Sequence, residues 1–335
     1  MNPLRTAVIG LGWWGRQIVT CLQESASFRV TYGVDVAPAA AADFARENGL
    51  TLTDSLEAVL ADAKVDAVVI ATPHRQHEAQ ALAVLAAGKQ LFCEKPLTLT
   101  ADGAERILAA CDRAGVVLGI GHERRFEPAM EEARRMIDAG ELGQLLHLEA
   151  NVSHNLFARM APGNWRINPA DAPAGAMTAL GIHLTDMFVS LAGNPLTVRA
   201  RTARVMREAS GTDQVSIWIE FDSGVTAAVT CLSSTPFHGR MSFFGSDGWV
   251  EVKENGNVDK GLPSDLTHCN AALERQTRSY SPVNTVRRNF EAWAAAIAGQ
   301  TPYRFTRAQI LNNIRVLDAV VRSAASGGEL IRIQP

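Results

Sequence analysis

The sequence predicts an α/β protein: a doubly wound parallel sheet, followed by an α+β domain with a large, mostly antiparallel open sheet. Three observations carry that prediction. Short apolar strands alternate with helix-period segments as far as Ile120. A glycine string, Gly10-Leu11-Gly12-Trp13-Trp14-Gly15, sits directly between the first strand and the first helix. In the second half, four segments alternate apolar and polar residues, two of them joined by the hairpin turn Asp222-Ser223-Gly224.

The first strand, Thr6-Ala7-Val8-Ile9, is apolar and of the buried type, and a helix pattern runs over 16–24. In this setting the three glycines have separate uses. Gly10 permits the tight turn, Gly12 lets a pyrophosphate approach the backbone, and Gly15 allows close helix–strand packing, with the anion at the helix N-terminus. Leu11, Trp13 and Trp14 belong to the same cofactor-binding loop. A second strand over 28–35 ends in Asp35, 20 positions after Gly15. There a dinucleotide-binding (Rossmann) unit places the carboxylate that accepts hydrogen bonds from the adenosine ribose. That carboxylate repels a 2′-phosphate, and no arginine follows in Val36-Ala37-Pro38-Ala39, so NAD is favoured over NADP.

Helices over 39–48 and 55–61 lead to a continuous buried strand over 67–71. Strands separated by helices imply a parallel sheet with right-handed crossovers, and ligands lie beyond the carboxyl ends of its strands. Thr72, Pro73 and His77, which opens a helix over 77–87, are therefore expected to line the cofactor cleft. The strand over 90–93 delivers Glu94-Lys95-Pro96 to the same edge. A lysine where a buried strand ends is costly unless its charge or proton is used. Near a reacting carbon, such a cation stabilises carbonyl or alkoxide oxygen, most strongly in a water-poor cleft.

A helix over 101–114 and a strand over 116–120 complete this domain, 1–122. The second domain, 123–305, is read as substrate-binding and oligomerisation α+β. It contains a helix over 128–139, a strand over 145–154, a loop-like stretch through 161–175, and a helix over 177–192. The sheet segments are 198–205, 215–221, 225–232 and 241–244, whereas 253–273 reads as a loop. Helical segments over 285–298 and 308–325 are expected to pack back on the first domain, with 306–335 as a C-terminal helix and tail.

Composition narrows the class of partner. A 335-residue chain that is 47% hydrophobic and 20% charged, with net charge −3, reads as a soluble two-domain protein taking a small-molecule substrate. With pI near 6.3 and no Lys/Arg-rich block, nucleic acid is not an expected partner. No apolar run approaches the roughly 20 residues a membrane span needs, so no membrane partner is expected. Strand-like sequence begins at Thr6, which leaves no room for a signal peptide. The five cysteines are scattered without CxxC spacing. That argues for a reducing, cytoplasmic setting and against a metal site or a disulfide framework.

The combination of Gly10, Gly12, Gly15, Asp35, Ala71-Thr72-Pro73 with His77, Glu94-Lys95-Pro96, and Gly181-Ile182-His183 with Asp186 resembles the Gfo/Idh/MocA family. These oxidoreductases are named after glucose–fructose oxidoreductase, inositol dehydrogenase and a rhizopine-catabolism protein. The resemblance continues through Ser323-Ala324 and Gly327-Gly328, so it spans nearly the whole chain. It implies an NAD(P)-dependent dehydrogenase acting on a secondary alcohol or ketone carbon of a sugar or polyol. It also implies Lys95 near the reacting carbon, moving the alcohol proton, with Glu94 beside the nicotinamide and a cis bond before Pro96. His183 becomes the general acid/base, and an imidazole pKa of about 6.5 suits that work. Asp186 follows one turn later on the same helix face. In this family the open face of the C-terminal sheet usually makes the subunit contact, which implies a homodimer or homotetramer and suits Trp218 and Phe243 if they point outward.

One element departs from the family pattern. Many of its sugar and polyol dehydrogenases carry an aspartate four residues before the histidine, where this chain has Ala179. The neighbouring Thr178 can donate a hydrogen bond but is no base at neutral pH. Expected substrate contacts are His122, Arg125, Asn155, Trp165, Arg166 and Thr178. Lys95, His122, Arg124 or Arg125, His154, Arg166 and His183 then outweigh Glu94 and Glu123, a balance that favours an anionic, carboxylate-bearing substrate. Two alternatives stay open: an NAD-binding regulator or sensor without turnover, and an NAD-retaining glycosidase or oxidoreductase on the same scaffold.

Overall fold

Buried apolar strands between amphipathic helices assemble the first unit, Met1–Glu123, which is joined by Val286–Arg307 from late in the chain. The computed structural model describes residues 2–155, 160, 163–206, 211–257 and 260–334. The elements of this unit are β1 (Leu4–Ile9), α1 (Trp13–Gln23), β2 (Phe28–Val34), α2 (Ala42–Glu47), β3 (Thr51–Thr53), α3 (Leu56–Ala61), β4 (Ala67–Ile70), α4 (His77–Ala86), β5 (Gln90–Cys93), α5 (Ala101–Ala114) and β6 (Gly119–Ile120). All six strands are parallel, in the order β3-β2-β1-β4-β5-β6. The order reverses between β1 and β4, which opens a crevice at their carboxyl ends. Local chemistry sets the helix ends. Ser55 Oγ caps α3 by accepting from Ala58 N at 3.1 Å, Thr100 Oγ1 caps α5, and Gly115 ends α5 in the left-handed region at φ 63°. The sequence reading has no counterpart to β3, because Thr-Leu-Thr is too short and too exposed to show a period.

The second unit is Arg124–Thr285 with Ala308–Pro335. Its elements are α6 (Pro128–Asp138), β7 (Leu145–Ser153), α7 (Gly181–Ala192), β8 (Pro195–Ala203), β9 (Gln214–Phe221), β10 (Thr226–Leu232), β11 (His238–Gly245), β12 (Gly248–Glu254), β13 (Ser264–Asn270) and β14 (Arg275–Tyr280). After α8 (Thr285–Ile297), which joins the first unit from Val286, come α9 (Arg307–Ala325) and β15 (Ile331–Arg332). The nine strands run β14-β13-β12-β11-β7-β10-β9-β8-β15, and only the β7–β10 pair is parallel. Along β9, Val215, Ile217, Ile219 and Phe221 are buried while Trp218 and Glu220 are exposed. One face is therefore apolar and the other half exposed. Phe243 lies on the buried face, its ring edge-on to Phe188 of α7, so only Trp218 of the expected outward pair points out.

Four sequence expectations change here. The stretch 253–273 is not a loop, because β13 lies within it and β12 runs into it; residues 258–259 fall outside the described set, as do 161–162 of the expected 161–175 loop. The polar strands β13 and β14 are held by ladder hydrogen bonds rather than by an apolar period. The helix expected over 177–192 begins only at Gly181, because Ala174 and Gly175 take positive φ (56° and 58°) and leave a single 3-10 turn, Gly175–Met177. Of the segment 306–335, Ala308–Pro335 groups with the second unit, whereas Arg307 belongs to the first and pairs with Asp112. Polar groups on α9 serve the second unit: Thr185 Oγ1 donates to Asn313 Oδ1 at 2.6 Å, and Ala200 N donates to Ser323 Oγ at 2.8 Å. Lastly, the boundary of 123–305 gives way to α8. Phe290 stacks on Phe92 with ring centroids 3.9 Å apart, and Trp293 Nε1 donates to Val117 O at 2.8 Å. Both side chains are fully buried and close the apolar core under β1 and β5.

Candidate active site

The glycine string shapes a cradle at the carboxyl end of β1. Gly10 has φ +88°, and a Cβ there would meet Ala71 O at 2.7 Å; a Cβ on Gly15 would collide with Gly10 O. Gly12 has nothing within 4 Å of where its Cβ would be. Two glycines therefore serve packing, and the middle one leaves open space. Gly12 is also the extended N-cap of α1, and no side chain caps that helix. Its first-turn amides, with the positive end of the helix dipole, are available to an anion.

Asp35, half-buried after β2, pins this loop from the side. Its Oδ2 accepts from Leu11 N at 2.8 Å and its Oδ1 from Ala37 N at 3.0 Å. Each carboxylate oxygen keeps a lone pair for a further donor. An open cradle, a bare helix N-terminus and an adjacent acceptor fit the pyrophosphate and ribose of a dinucleotide. Trp13 is exposed beside the cradle, and its ring lies 5.4 Å from that of Trp14.

At the ends of β4 and β5 two turns are tied together. Thr72 Oγ1 donates to Gln80 Oε1 at 2.6 Å. His77 is fully buried, with Nδ1 2.8 Å from Pro96 O and Nε2 2.9 Å from Thr72 O. Burial lowers its pKa, and the carbonyl partners oppose that shift. His77 thus braces the turn that carries Lys95 rather than lining an open cleft, contrary to expectation. Its position in the first turn of α4 was readable, but its inward direction was not.

The Lys95–Pro96 peptide is cis, and Lys95 is half-buried. Glu94 is buried, with its carboxylate against Gly121, where any Cβ would collide with it. Lys95 N donates to Glu94 Oε2 at 3.3 Å. The buried Trp14 Nε1 approaches the same carboxylate without a well-aligned hydrogen bond. Burial first, and then the buried Glu123 carboxylate, push Glu94 up from 4.5 to about 8, with Trp14 and the Lys95 charge opposing. His122 is buried, and its ring lies 6.2 Å from that of Phe305.

That shift predicts a pH dependence of stability. With the native value above the unfolded one, the native state holds an extra proton between them. Stability from this group is full below pH 4.5 and is lost as pH rises through about 8. Glu94→Gln is expected to flatten this fall, as read from urea-unfolding midpoints between pH 6 and 9 (a range of about three units around the folded value). A variant whose midpoint falls as steeply as that of the parent contradicts the assignment.

In the second unit, His183 lies in the first turn of α7 and is buried, as is Thr178 ahead of it. Asp186 is 1% exposed and pairs with Arg125. The guanidinium grips it through Nε to Oδ2 and Nη2 to Oδ1, both 2.6 Å, while Nη1 donates to Gln309 Oε1 at 2.8 Å. Arg125 is thereby committed to holding α7, which corrects its reading as a substrate contact. Arg124 is likewise buried against Glu254, with Asn257 Oδ1 at 3.4 Å. Neither Glu254 nor Gln309 was singled out from the sequence, because each lies more than a hundred residues from its arginine and leaves no local signal. Asn155 is exposed, and the half-buried His154 ring lies 6.5 Å from that of Phe237. Arg166 is half-buried, with its guanidinium 4.4 Å over the ring of Trp165.

Comparison with known proteins places these features in a wider set. A family model described as an oxidoreductase family with an NAD-binding Rossmann fold matches residues 4–122, and one for the Gfo/Idh/MocA C-terminal domain matches 130–251. The chain is 32% identical over 278 residues to D-xylose 1-dehydrogenase (NADP+) 2 of Haloferax volcanii, covering 83% of each sequence. It is 30% identical over 266 residues to scyllo-inositol 2-dehydrogenase (NAD+) of Bacillus subtilis, covering 75% of this chain and 74% of the other. Aldose–aldose oxidoreductase of Caulobacter crescentus, solved with glycerol, has the same fold, with a TM-score of 0.86 at 24% identity over 98% of this chain and 99% of that one.

Proposed function

The chain belongs to the Gfo/Idh/MocA family of NAD(P)-dependent oxidoreductases, and on that premise we propose that it moves hydride between nicotinamide and a secondary alcohol or ketone carbon of a sugar-like substrate. The observation that carries this reading is Lys95, half-buried at the carboxyl edge of the parallel sheet, in the same unit as the open cradle at Gly12. Bound there, the dinucleotide supplies the hydride acceptor or donor. The chain's own residues do the rest. Lys95 places positive charge at the substrate oxygen as alkoxide or carbonyl character changes. The family resemblance assigns the hydroxyl proton to His183. His77 and Gly121 act behind Lys95: the first fixes its turn, and the second makes room for Glu94.

NAD is the favoured cofactor because the Asp35 carboxylate meets a 2′-phosphate with like charge. Names among the relatives divide on this point, the Haloferax enzyme being named for NADP+ and the Bacillus enzyme for NAD+. The test is reduced-cofactor formation by the purified protein on aldoses, inositols and their acid derivatives, with NAD and NADP in separate reactions. The expected result is NADH formation with kcat/KM about tenfold or more above that for NADP. Faster NADPH formation overturns the cofactor preference. Cofactor binding without reduction by any substrate on the panel would instead favour the sensor reading, which Ala179 supports.

A further inference from the structure

A cavity of about 340 Å³ opens within the second unit, lined by Arg166, Gly175, Thr202, Thr212, Ser233 and Ala324 among others. Its size is that of a small-ligand pocket. Among the described residues, the lining is mostly apolar apart from the Thr202, Thr212 and Ser233 hydroxyls and the Arg166 guanidinium, and it includes no acidic residue. Asp213 and Asp171 lie next to lining residues in the chain, and each accepts hydrogen bonds from other groups. Asp213 accepts from Val205 N and Met206 N at 2.8 and 2.9 Å, and Asp171 accepts from Asn168 Nδ2 at 2.9 Å.

Arg166 differs from the other arginines of this unit's interior. Arg124 and Arg125 each hold a buried carboxylate. Among the described residues, no carboxylate pairs with Arg166; its guanidinium stacks on Trp165, and burial lowers its pKa without any offsetting partner. Arginine keeps its charge regardless. A half-buried cation without a counter-charge beside hydroxyl donors is short of an anion. One planar fork held by an aromatic face matches a carboxylate, whereas a phosphate site usually adds further cations or helix amides.

We propose that this cavity binds the carboxylate of a sugar acid or similar hydroxy acid, and that Arg166 selects the acid over its neutral counterpart. Among the arginines of the anionic-pocket expectation, Arg124 and Arg125 hold carboxylates of the chain, which leaves Arg166. The same chemistry has two sources, the substrate itself or a separate effector acid. The proposal rests on the dehydrogenase reading only where the acid is the substrate.

Calorimetric titration without cofactor keeps the two readings separable. D-Galacturonate, D-glucuronate and D-gluconate are each compared with galactose, glucose and sorbitol, in buffer free of carboxylate and phosphate. At least one acid is expected to bind about tenfold or more tightly than its neutral partner. Arg166→Met removes that difference, Arg166→Lys keeps part of it, and urea unfolding followed by circular dichroism verifies that the second unit of both variants is folded. The proposal is overturned if no acid outbinds its partner, or if Arg166→Met binds the acids as tightly as the parent. An acid that binds through Arg166 and is oxidised is the substrate. One that binds and alters turnover of a neutral sugar is an effector. Binding without any turnover sinks the dehydrogenase reading and leaves the site standing.

Discussion

Lys95→Met lowers kcat by about a hundred- to ten-thousand-fold, the range for loss of a positioned charge or proton carrier in the transition state. Methionine keeps the length and removes the ammonium, so the loss falls on chemistry. Cofactor affinity is expected to change little, because the groups that fit a dinucleotide are Asp35, the bare N-terminus of α1 and the open space at Gly12. Steady-state kinetics paired with NADH fluorescence titration separates the two quantities. A variant that turns over within about tenfold of the parent removes Lys95 from the mechanism. One further readout belongs to this variant. The Lys95 charge holds the Glu94 pKa down, so its removal drives Glu94 further up and shifts the pH at which stability is lost in the same direction.

Arg125→Met is expected to cost about 3–5 kcal/mol in the unfolding of the second unit, because it takes a bidentate guanidinium away from a buried carboxylate. Asp186 is 1% exposed, and two of its bonds to that guanidinium are 2.6 Å long. Water cannot replace what the guanidinium supplied. The double variant Arg125→Met with Asp186→Leu removes both charges and recovers most of the loss, since apolar replacement of a buried pair is often neutral. Urea unfolding followed by tryptophan fluorescence and by circular dichroism checks both variants, and any separate transition of the first unit stays in place. A single-variant cost below about 1 kcal/mol contradicts the buried pairing. A lasting loss in the double variant shows instead that the arginine's packing or its bond to Gln309 carries the effect.

The dinucleotide cradle was legible because its signals are local. Gly10, Gly12 and Gly15 answer backbone demands within one turn, and Asp35 follows at a distance fixed by one helix and one strand. The alternating strands β9 and β10 were legible for the same reason, since burial on every second residue writes itself into the sequence. The roles of the arginines were not. Arg124 and Arg125 are adjacent and chemically identical, yet one finds Glu254 and the other Asp186, 130 and 61 residues away. Only the folded chain tells them from Arg166, which keeps its charge available. The placement of α9 was hidden likewise, because Asn313 and Ser323 are polar residues whose partners lie on distant elements. β14 was invisible because all but one of its residues is exposed and its pairing is made by backbone.

The return of α8 to the first unit has a consequence for biosynthesis. Phe290 and Trp293 cover Phe28 and Phe92, and Asn289 Nδ2 bonds Ile120 O at 2.8 Å. A ribosome that has added Glu123 has synthesised the six parallel strands but not the aromatic pair that seals them. At typical translation rates, on the order of ten seconds or more pass before that pair is made. Through that interval Phe28 and Phe92 lack the rings that cover them in the folded chain.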